Sequence, residues 1–443
     1  MTIAILIIGS GAREHAIAKA LQRSPQQPQI FCYASANNPG IGNIVKEQII
    51  SALLDLDSIC TAALNWKIDL AIIGPEAPLE SGLADRLWEQ GIPVVGPTKI
   101  LAQLETSKVF ARDLLKKHNI AGSPDYKYFS NLDGVENYLQ QLGENQYVIK
   151  ADGLMGGKGV KVAGEHLHSF SEGLEFCQQL VDAQQSFVIE EKCIGQEFSL
   201  MSFCDGETLV PMPIVQDHKR AFINDEGPNT GGMGSYSEST HSLSFLTSND
   251  VEDAKRINQQ VLSALKQDYQ QPYMGILYGS FMATKNGIRL IEYNVRFGDP
   301  ESLNVLSILE TDFLSICQSI VSGKLLGLDV KFSALSTVCK YVVPEGYPDH
   351  PLKNELIEIG EVSSTSQLYL GGIHAHQNKL YATGSRIAAI VGIAQSLESA
   401  EKIAEENVKA IKGKVFHRPD IGTTDALNRR IQHMQNLRGA LCS

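Results

Sequence analysis

The stretch Val148-Ile149-Lys150-Ala151-Asp152-Gly153-Leu154-Met155-Gly156-Gly157-Lys158-Gly159-Val160 sets two lysines around a glycine-rich loop. The flanking segments, 146–150 and 159–163, read as two strands. Glycines let backbone N–H groups approach phosphate oxygens, and ammonium groups offset the charge of a triphosphate. The loop is not a Walker A element, which needs Gly at 152, where Asp stands, and Ser or Thr at 159, where Gly stands. A glycine hairpin carrying two surface lysines is the plain alternative.

A second segment decides what such a loop would serve. In Ile291-Glu292-Tyr293-Asn294-Val295-Arg296-Phe297-Gly298-Asp299-Pro300-Glu301, a strand persisting to Arg296 would put Glu292, Asn294 and Arg296 on one face, because strand side chains alternate. A carboxylate and an amide oxygen are hard ligands suited to Mg²⁺, which also takes phosphate oxygens and water. Arg296 could then brace charge on a transferring phosphoryl group. The competing reading is a solvated polar strand face.

Three further segments carry less. Gln216-Asp217-His218-Lys219-Arg220 precedes Gly227-Pro228-Asn229-Thr230-Gly231-Gly232-Met233-Gly234, a loop able to bring backbone donors to an anion or to be a surface excursion. The run Phe187 to Glu197 ends a strand in a short connector that could meet an adenine edge, with Glu197 accepting from ribose hydroxyls. Gly9-x-Gly11 follows a strand, but Glu14 stands where a dinucleotide-binding motif needs a third small residue. A helix start holding one phosphate is the better reading.

Around these motifs the chain divides. Runs at 3–8, 29–33, 69–73 and 93–95 read as buried strands, with helices near 13–23, 57–66 and 79–90 between them, which predicts a doubly wound parallel sheet over 1–104. Ligands then sit at the strand ends, 9–15 and 74–78. Residues 105–330 read as an α+β catalytic body with helices near 107–118 and 250–268 and strands across 185–215, 276–284 and 288–294. Residues 331–425 read as a smaller α+β unit and 426–443 as a loose tail. The acidic run 398–406 reads as an exposed helix face. His166/His168 and His374/His376 lack a third metal ligand nearby in sequence.

A net charge of −12, from 38 basic and 50 acidic residues, argues against a nucleic-acid partner but not against small anions in a local basic cleft. Eight cysteines without a C-x-x-C pair read as reduced thiols. With no apolar run long enough for a leader or a span, a soluble cytoplasmic protein without a membrane partner is expected.

Taken together, Gly9-x-Gly-Ala-Arg-Glu-His-Ala, Ile73-Gly-Pro-Glu-Ala-Pro-Leu, Lys150-Ala-Asp-Gly-x-x-x-Gly-Lys-Gly-Val, Gln216-Asp-His-Lys-Arg, Gly227-Pro-Asn-Thr-Gly-Gly-Met-Gly and Arg296-Phe-Gly-Asp-Pro-Glu resemble the phosphoribosylamine–glycine ligases of the ATP-grasp superfamily, in family order over nearly the whole chain. The resemblance implies a phosphoribosylamine-binding N-terminal domain, a two-part ATP-grasp body with a mobile lid at about 122–192, and a small C-terminal domain. It implies ATP as co-substrate, Mg²⁺ or Mn²⁺, glycine and 5-phosphoribosylamine as substrates, and a monofunctional monomer or weak homo-oligomer. By the same resemblance Lys108, Lys150, Gly153, Gly157, Glu190, Glu191, Cys193 and Glu197 would hold ATP. Glu292 and Asn294 would bind metal, and Arg296 and Lys158 would serve phosphoryl transfer. Gly11, Arg13, Glu14, Gly74, Pro75, Glu76, Asp217, Lys219, Asn229, Thr230, Gly231, Gly232, Asp299, Pro300 and Glu301 would line the acceptor and glycine sites. Ala12, Met155-Gly156 and Glu238 depart from the family pattern, and the stretch around Gly371-Gly372-Ile373-His374 departs further, leaving C-terminal contacts undetermined.

Overall fold

The computed structural model describes residues 2–154 and 159–439. Its first sheet is parallel, in the order Glu47–Ile50, Gln29–Ala34, Ala4–Ile8, Leu70–Ile73, Val94–Val95. The central strand Ala4–Ile8 is buried along its whole length. Ile5 and Ile7 enter one core while Leu6 and Ile8 enter another. That is the arrangement of a parallel strand covered on both faces. The helix expected at 79–90 is two, Glu76–Glu80 and Leu83–Glu89, because Gly82 takes a left-handed φ of 89° between them. The edge strand Glu47–Ile50 escapes the hydrophobic pattern because its residues are only partly buried.

The catalytic body contains two antiparallel sheets. One runs Leu209–Pro211, Gly195–Asp205, Met274–Thr284, Gly287–Asn294, and the other Tyr126–Phe129, Phe187–Glu191, Tyr147–Ala151, Val160–Val162. The second has its own core, including Phe129, Leu139, Tyr147, Ile149, Phe187 and Ile189. Helix Lys108–Lys117 begins at Ser107, whose hydroxyl accepts from the Phe110 N–H at 3.1 Å. No helix among the described residues is long and apolar enough to cross a membrane.

The C-terminal sheet does not stop at the expected boundary near 331. It runs Gln216–Asp217, Gly234–Ser237, Ser336–Pro344, Ala388–Ala394, Ser366–Leu370, so both ends of the glycine-rich loop hydrogen-bond into it. The expected loose tail is also corrected. Thr424–Arg438 is a helix capped by Thr423, with Met434 fully buried. Arg438 forks onto Asp250 at 2.7 and 2.9 Å, and Arg430 donates to Gln196 Oε1 at 2.8 Å. Leu427, Ile431 and Leu437 pack with Met434 against the core, and the arginines add fixed polar contacts at the rim.

The acidic run likewise faces inward in part. On helix Leu397–Val408, Glu401 and Glu405 lie one turn apart and meet the Lys340 ammonium at 2.6 and 2.8 Å. The Lys340 side chain has no exposure, and its third contact is the Pro419 carbonyl at 2.8 Å. Removing both acids strands a buried cation. E401A/E405A should lose about 3 kcal/mol in urea unfolding, and K340M clearly less, since the carboxylates it leaves are partly exposed and Glu405 keeps His417 as a partner.

Candidate active site

A cleft of about 890 Å³ opens where the three units meet. Its walls hold Lys108, Lys150, Gly153, Glu190, Glu191, Cys193 and Glu197 beside Glu292, Asn294 and Arg296, so the motif of 148–160 and that of 291–301 share one cavity. Lys158 and Gly157 lie outside the described residues, as does most of the loop expected to close at 153–159.

The deepest feature is a buried ion cluster. Glu190 accepts from Arg112 Nε at 2.7 Å and Nη2 at 3.0 Å, and its other contact is Lys150 Nζ at 2.7 Å. Burial pushes this carboxyl up, but Arg112 and Lys150 outweigh it and hold the pKa at about 2. Arg112 also donates to Leu290 O and Ile291 O at 3.0 and 2.9 Å, and Lys150 to Ile291 O at 3.1 Å. The cluster therefore ties the strand Phe187–Glu191 to the strand carrying Glu292. The Glu190 carboxylate is thereby committed to two cations, so the groups of this segment left to meet an adenine edge are its backbone ones. Glu191 accepts from the Asp125 N–H at 3.2 Å, and burial raises the Cys193 thiol to about 11, so that thiol stays protonated.

Lys108 donates from Nζ to Gly153 O at 2.9 Å, and its own N–H donates to Asp152 Oδ1 at 2.7 Å. Burial, reinforced by Lys150, lowers its pKa. Glu197 pairs with Lys219 and accepts from Ser280 Oγ at 2.8 Å. Burial pushes the Glu197 carboxyl up, but Lys219 holds it below the usual range.

On the facing strand, Glu292 and Asn294 alternate with the buried Tyr293, whose hydroxyl donates to Asn258 at 3.0 Å. Neither the Glu292 carboxylate nor the Asn294 amide has a side-chain hydrogen-bond partner among the described residues. Two hard oxygens with free lone pairs on a cleft wall fit a divalent cation whose remaining ligands are phosphate and water. Among the described residues no cluster of three or more His, Cys, Asp or Glu could hold a metal by itself.

The strand ends at Asn294 rather than Arg296. Beyond it the Val295 N–H donates to Glu105 Oε2 at 2.7 Å instead of to a neighbouring strand. Arg296 still lines the cleft, with Nη2 3.0 Å from Glu105 and Nε 3.4 Å from Glu76. Burial works against its charge, but the two carboxylates keep the guanidinium firmly protonated.

Around the remaining wall stand Arg13, Pro75, Glu76, Asp217, Lys219, Asn229, Thr230, Gly231, Asp299 and Glu301. Burial and the neighbouring Glu301 raise Asp217 well above the carboxylate range, and its Oδ1 is buried without a hydrogen-bond partner. Glu301 accepts from Tyr278 OH at 2.5 Å. Gly11, Glu14, Gly74, Gly232 and Pro300, expected at the surface of the site, lie behind it instead. Glu14 takes the Gly11 N–H at 2.5 Å and Arg13 Nε at 2.7 Å, and a Cβ on Gly74 would stand 2.0 Å from its Oε1. The helix start read as a phosphate holder is thus already capped by the chain's own carboxylate. Gly232, at φ 107°, fits where a Cβ would meet Pro300 at 2.6 Å and Asp217 at 2.7 Å.

Sequence reasoning missed Arg112, Glu105 and Arg386, all on the cleft wall. Glu105 had a faint signal, three residues before Lys108 at the end of an amphipathic run. Arg112 and Arg386 had none.

Three family models match in order: the phosphoribosylglycinamide synthetase N domain over residues 3–105, its ATP-grasp (A) domain over 106–302 and its C domain over 337–424. A phosphoribosylamine–glycine ligase of Methanocaldococcus jannaschii is 46% identical over 443 residues, spanning 98% of this chain and 99% of that protein. One from Methanosarcina acetivorans is 43% identical over 441 residues, spanning 100% and 99%. The crystal structure of the Thermotoga maritima phosphoribosylamine–glycine ligase superposes with a TM-score of 0.79 at 25% identity, covering 94% of this chain and 100% of that one. The biotin carboxylase domain of Hydrogenobacter thermophilus 2-oxoglutarate carboxylase, solved with MgADP, ADP and bicarbonate, shares the fold at 15% identity, with a TM-score of 0.73 over 98% of this chain and 94% of that one. With all three domains matched and near-complete coverage of its relatives, the chain belongs to the phosphoribosylglycinamide synthetase family.

Proposed function

We propose that the chain joins glycine to 5-phosphoribosylamine at the expense of ATP, giving glycinamide ribonucleotide, ADP and phosphate in purine biosynthesis. The observation that carries this reading is the convergence of Lys108, Lys150, Glu292, Asn294 and Arg296 on one cleft with Arg13, Asp217 and the 229–231 loop.

Glycine's carboxylate resists attack by an amine because its leaving oxygen is too basic. A glycine carboxylate oxygen therefore attacks the γ-phosphorus of ATP, the bond to the β-phosphate oxygen breaks, and glycyl phosphate forms with ADP. The amine of phosphoribosylamine then attacks the acyl carbon, loses a proton, and phosphate departs. Lys108 and Lys150 neutralise the triphosphate, and Glu190 holds Lys150 in place. Arg296, charged and fixed by Glu105, faces the phosphoryl group in flight. Glu292 and Asn294 would hold a divalent cation, Mg²⁺ or Mn²⁺, which would supply Lewis acidity toward the phosphate oxygens. Burial of the cleft keeps water from the acyl phosphate.

The deciding experiment is an ADP-release assay with ATP, glycine and freshly formed phosphoribosylamine, leaving out each in turn. Turnover should need all three, and ADP release independent of glycine would sink the reading. R296A should cut kcat about a hundredfold or more with little change in nucleotide affinity. A variant that raised only the KM for ATP would make Arg296 a ground-state ligand. Chelation should abolish turnover and added Mg²⁺ restore it, whereas E292Q should demand more metal for half-maximal rate.

A further inference from the structure

Arg386 belongs to the C-terminal unit, yet its guanidinium lies against the cleft and holds two segments of the catalytic body. Nη1 donates to Gly231 O at 2.7 Å, Gly232 O at 3.1 Å and Asp299 O at 2.9 Å. Nη2 lies 3.0 Å from Asp299 Oδ2, and the other Asp299 oxygen accepts from Tyr341 OH at 2.5 Å. The guanidinium also covers the Tyr341 ring at 4.5 Å. Both oxygens of Asp299 are therefore oriented from the C-terminal unit, and so are two consecutive carbonyls of the glycine-rich loop. Backbone pairing supports the clamp: Tyr341 N donates to Met233 O at 2.9 Å, and Gly234–Ser237 pairs with Ser336–Pro344. The diverged stretch at 371–374 buttresses it, with Gly372 N donating to Arg386 O at 2.6 Å.

These groups form the wall that also carries Asp217 and Asn229, away from the lysines that face the triphosphate. A fork donating to three carbonyls and one carboxylate is a task for guanidinium geometry, which a lysine's point charge cannot reproduce. We propose that Arg386 is a positioning residue for the acceptor side of the reaction: it fixes the 229–232 loop and Asp299 against glycine and phosphoribosylamine while leaving nucleotide binding untouched. This rests on the function proposed above. The C-terminal unit thereby completes the site.

The test compares wild type, R386A and R386K in full-length protein. Both variants should lower kcat/KM for glycine and for phosphoribosylamine by about a hundredfold, the scale of a misplaced reacting group. MgADP affinity by calorimetry should stay within about twofold, since the interaction lost is not uniform binding. Methylguanidinium should restore part of the activity of R386A and none of R386K. Hydrogen exchange at 229–236 should quicken in both variants, a readout that does not depend on which substrates are used. Folded variants with unchanged kcat/KM, or with MgADP affinity lost in parallel, would overturn the proposal, and so would unaltered exchange. Failure of wild type to make product with quickened exchange in the variants would count against the proposed substrates and leave the clamp standing. If R386A does not fold, R386K carries the same comparison.

Discussion

The site depends on keeping cations charged and stationary in a place from which water is largely removed. A buried ammonium or guanidinium is costly unless a carboxylate meets it, and a carboxylate so buried needs a cation in turn. The cleft meets both needs with fixed pairs: Glu190 with Arg112 and Lys150, Glu197 with Lys219, and Glu105 with Arg296. Each acid comes from a different element than the cation it holds, so the electrostatic requirement also draws the strand Phe187–Glu191, the sheet that carries Glu292 and the helix Lys108–Lys117 together.

That constraint explains why the units cannot be assigned neatly along the chain. The glycine-rich loop leaves the catalytic body, pairs with the C-terminal sheet through Gln216–Asp217 and Gly234–Ser237, and returns. The helix Thr424–Arg438 comes back onto the body, where Arg438 meets Asp250 and Arg430 meets Gln196. Rigidity at the site is thus spread over segments far apart in sequence, consistent with a reaction governed by positioning more than by a nucleophile.

What the sequence could reveal follows from the range of the forces involved. Strands such as Ala4–Ile8 and Leu70–Ile73 are legible because burial on both faces demands a continuous apolar run. Glu292, Asn294 and Lys150 are legible because backbone alternation and phosphate chemistry confine residue type at short spacing. Glu14 caps its own helix through the Gly11 N–H three residues back, a spacing present in the sequence, whereas its packing against Gly74 comes from another strand end and left no signal. Arg112, Arg386 and Lys340 were silent. An ion pair between residues 78 apart, like Arg112 and Glu190, leaves no periodicity to read. The terminal helix was legible in principle, since Leu427, Ile431 and Met434 recur at helical spacing, but its arginine contacts were not.

The two carboxylates on Arg296 differ in a way that bears on its use. The Glu105 side chain is 6% exposed and also holds the Val295 N–H, while that of Glu76 is 35% exposed and sits at the longer distance of 3.4 Å. Screening weakens the second contact far more than the first. In the reaction we propose, a phosphoryl oxygen arriving in the cleft would compete with Glu76 for the guanidinium and leave the bond to Glu105 in place. Burial raises Glu105 above the ordinary carboxylate range, with Arg296 pulling against it. Arg296 is thus tethered on its buried side and exchangeable on its open side. That asymmetry lets a residue permanently paired in the resting site still turn toward charge that exists only during transfer.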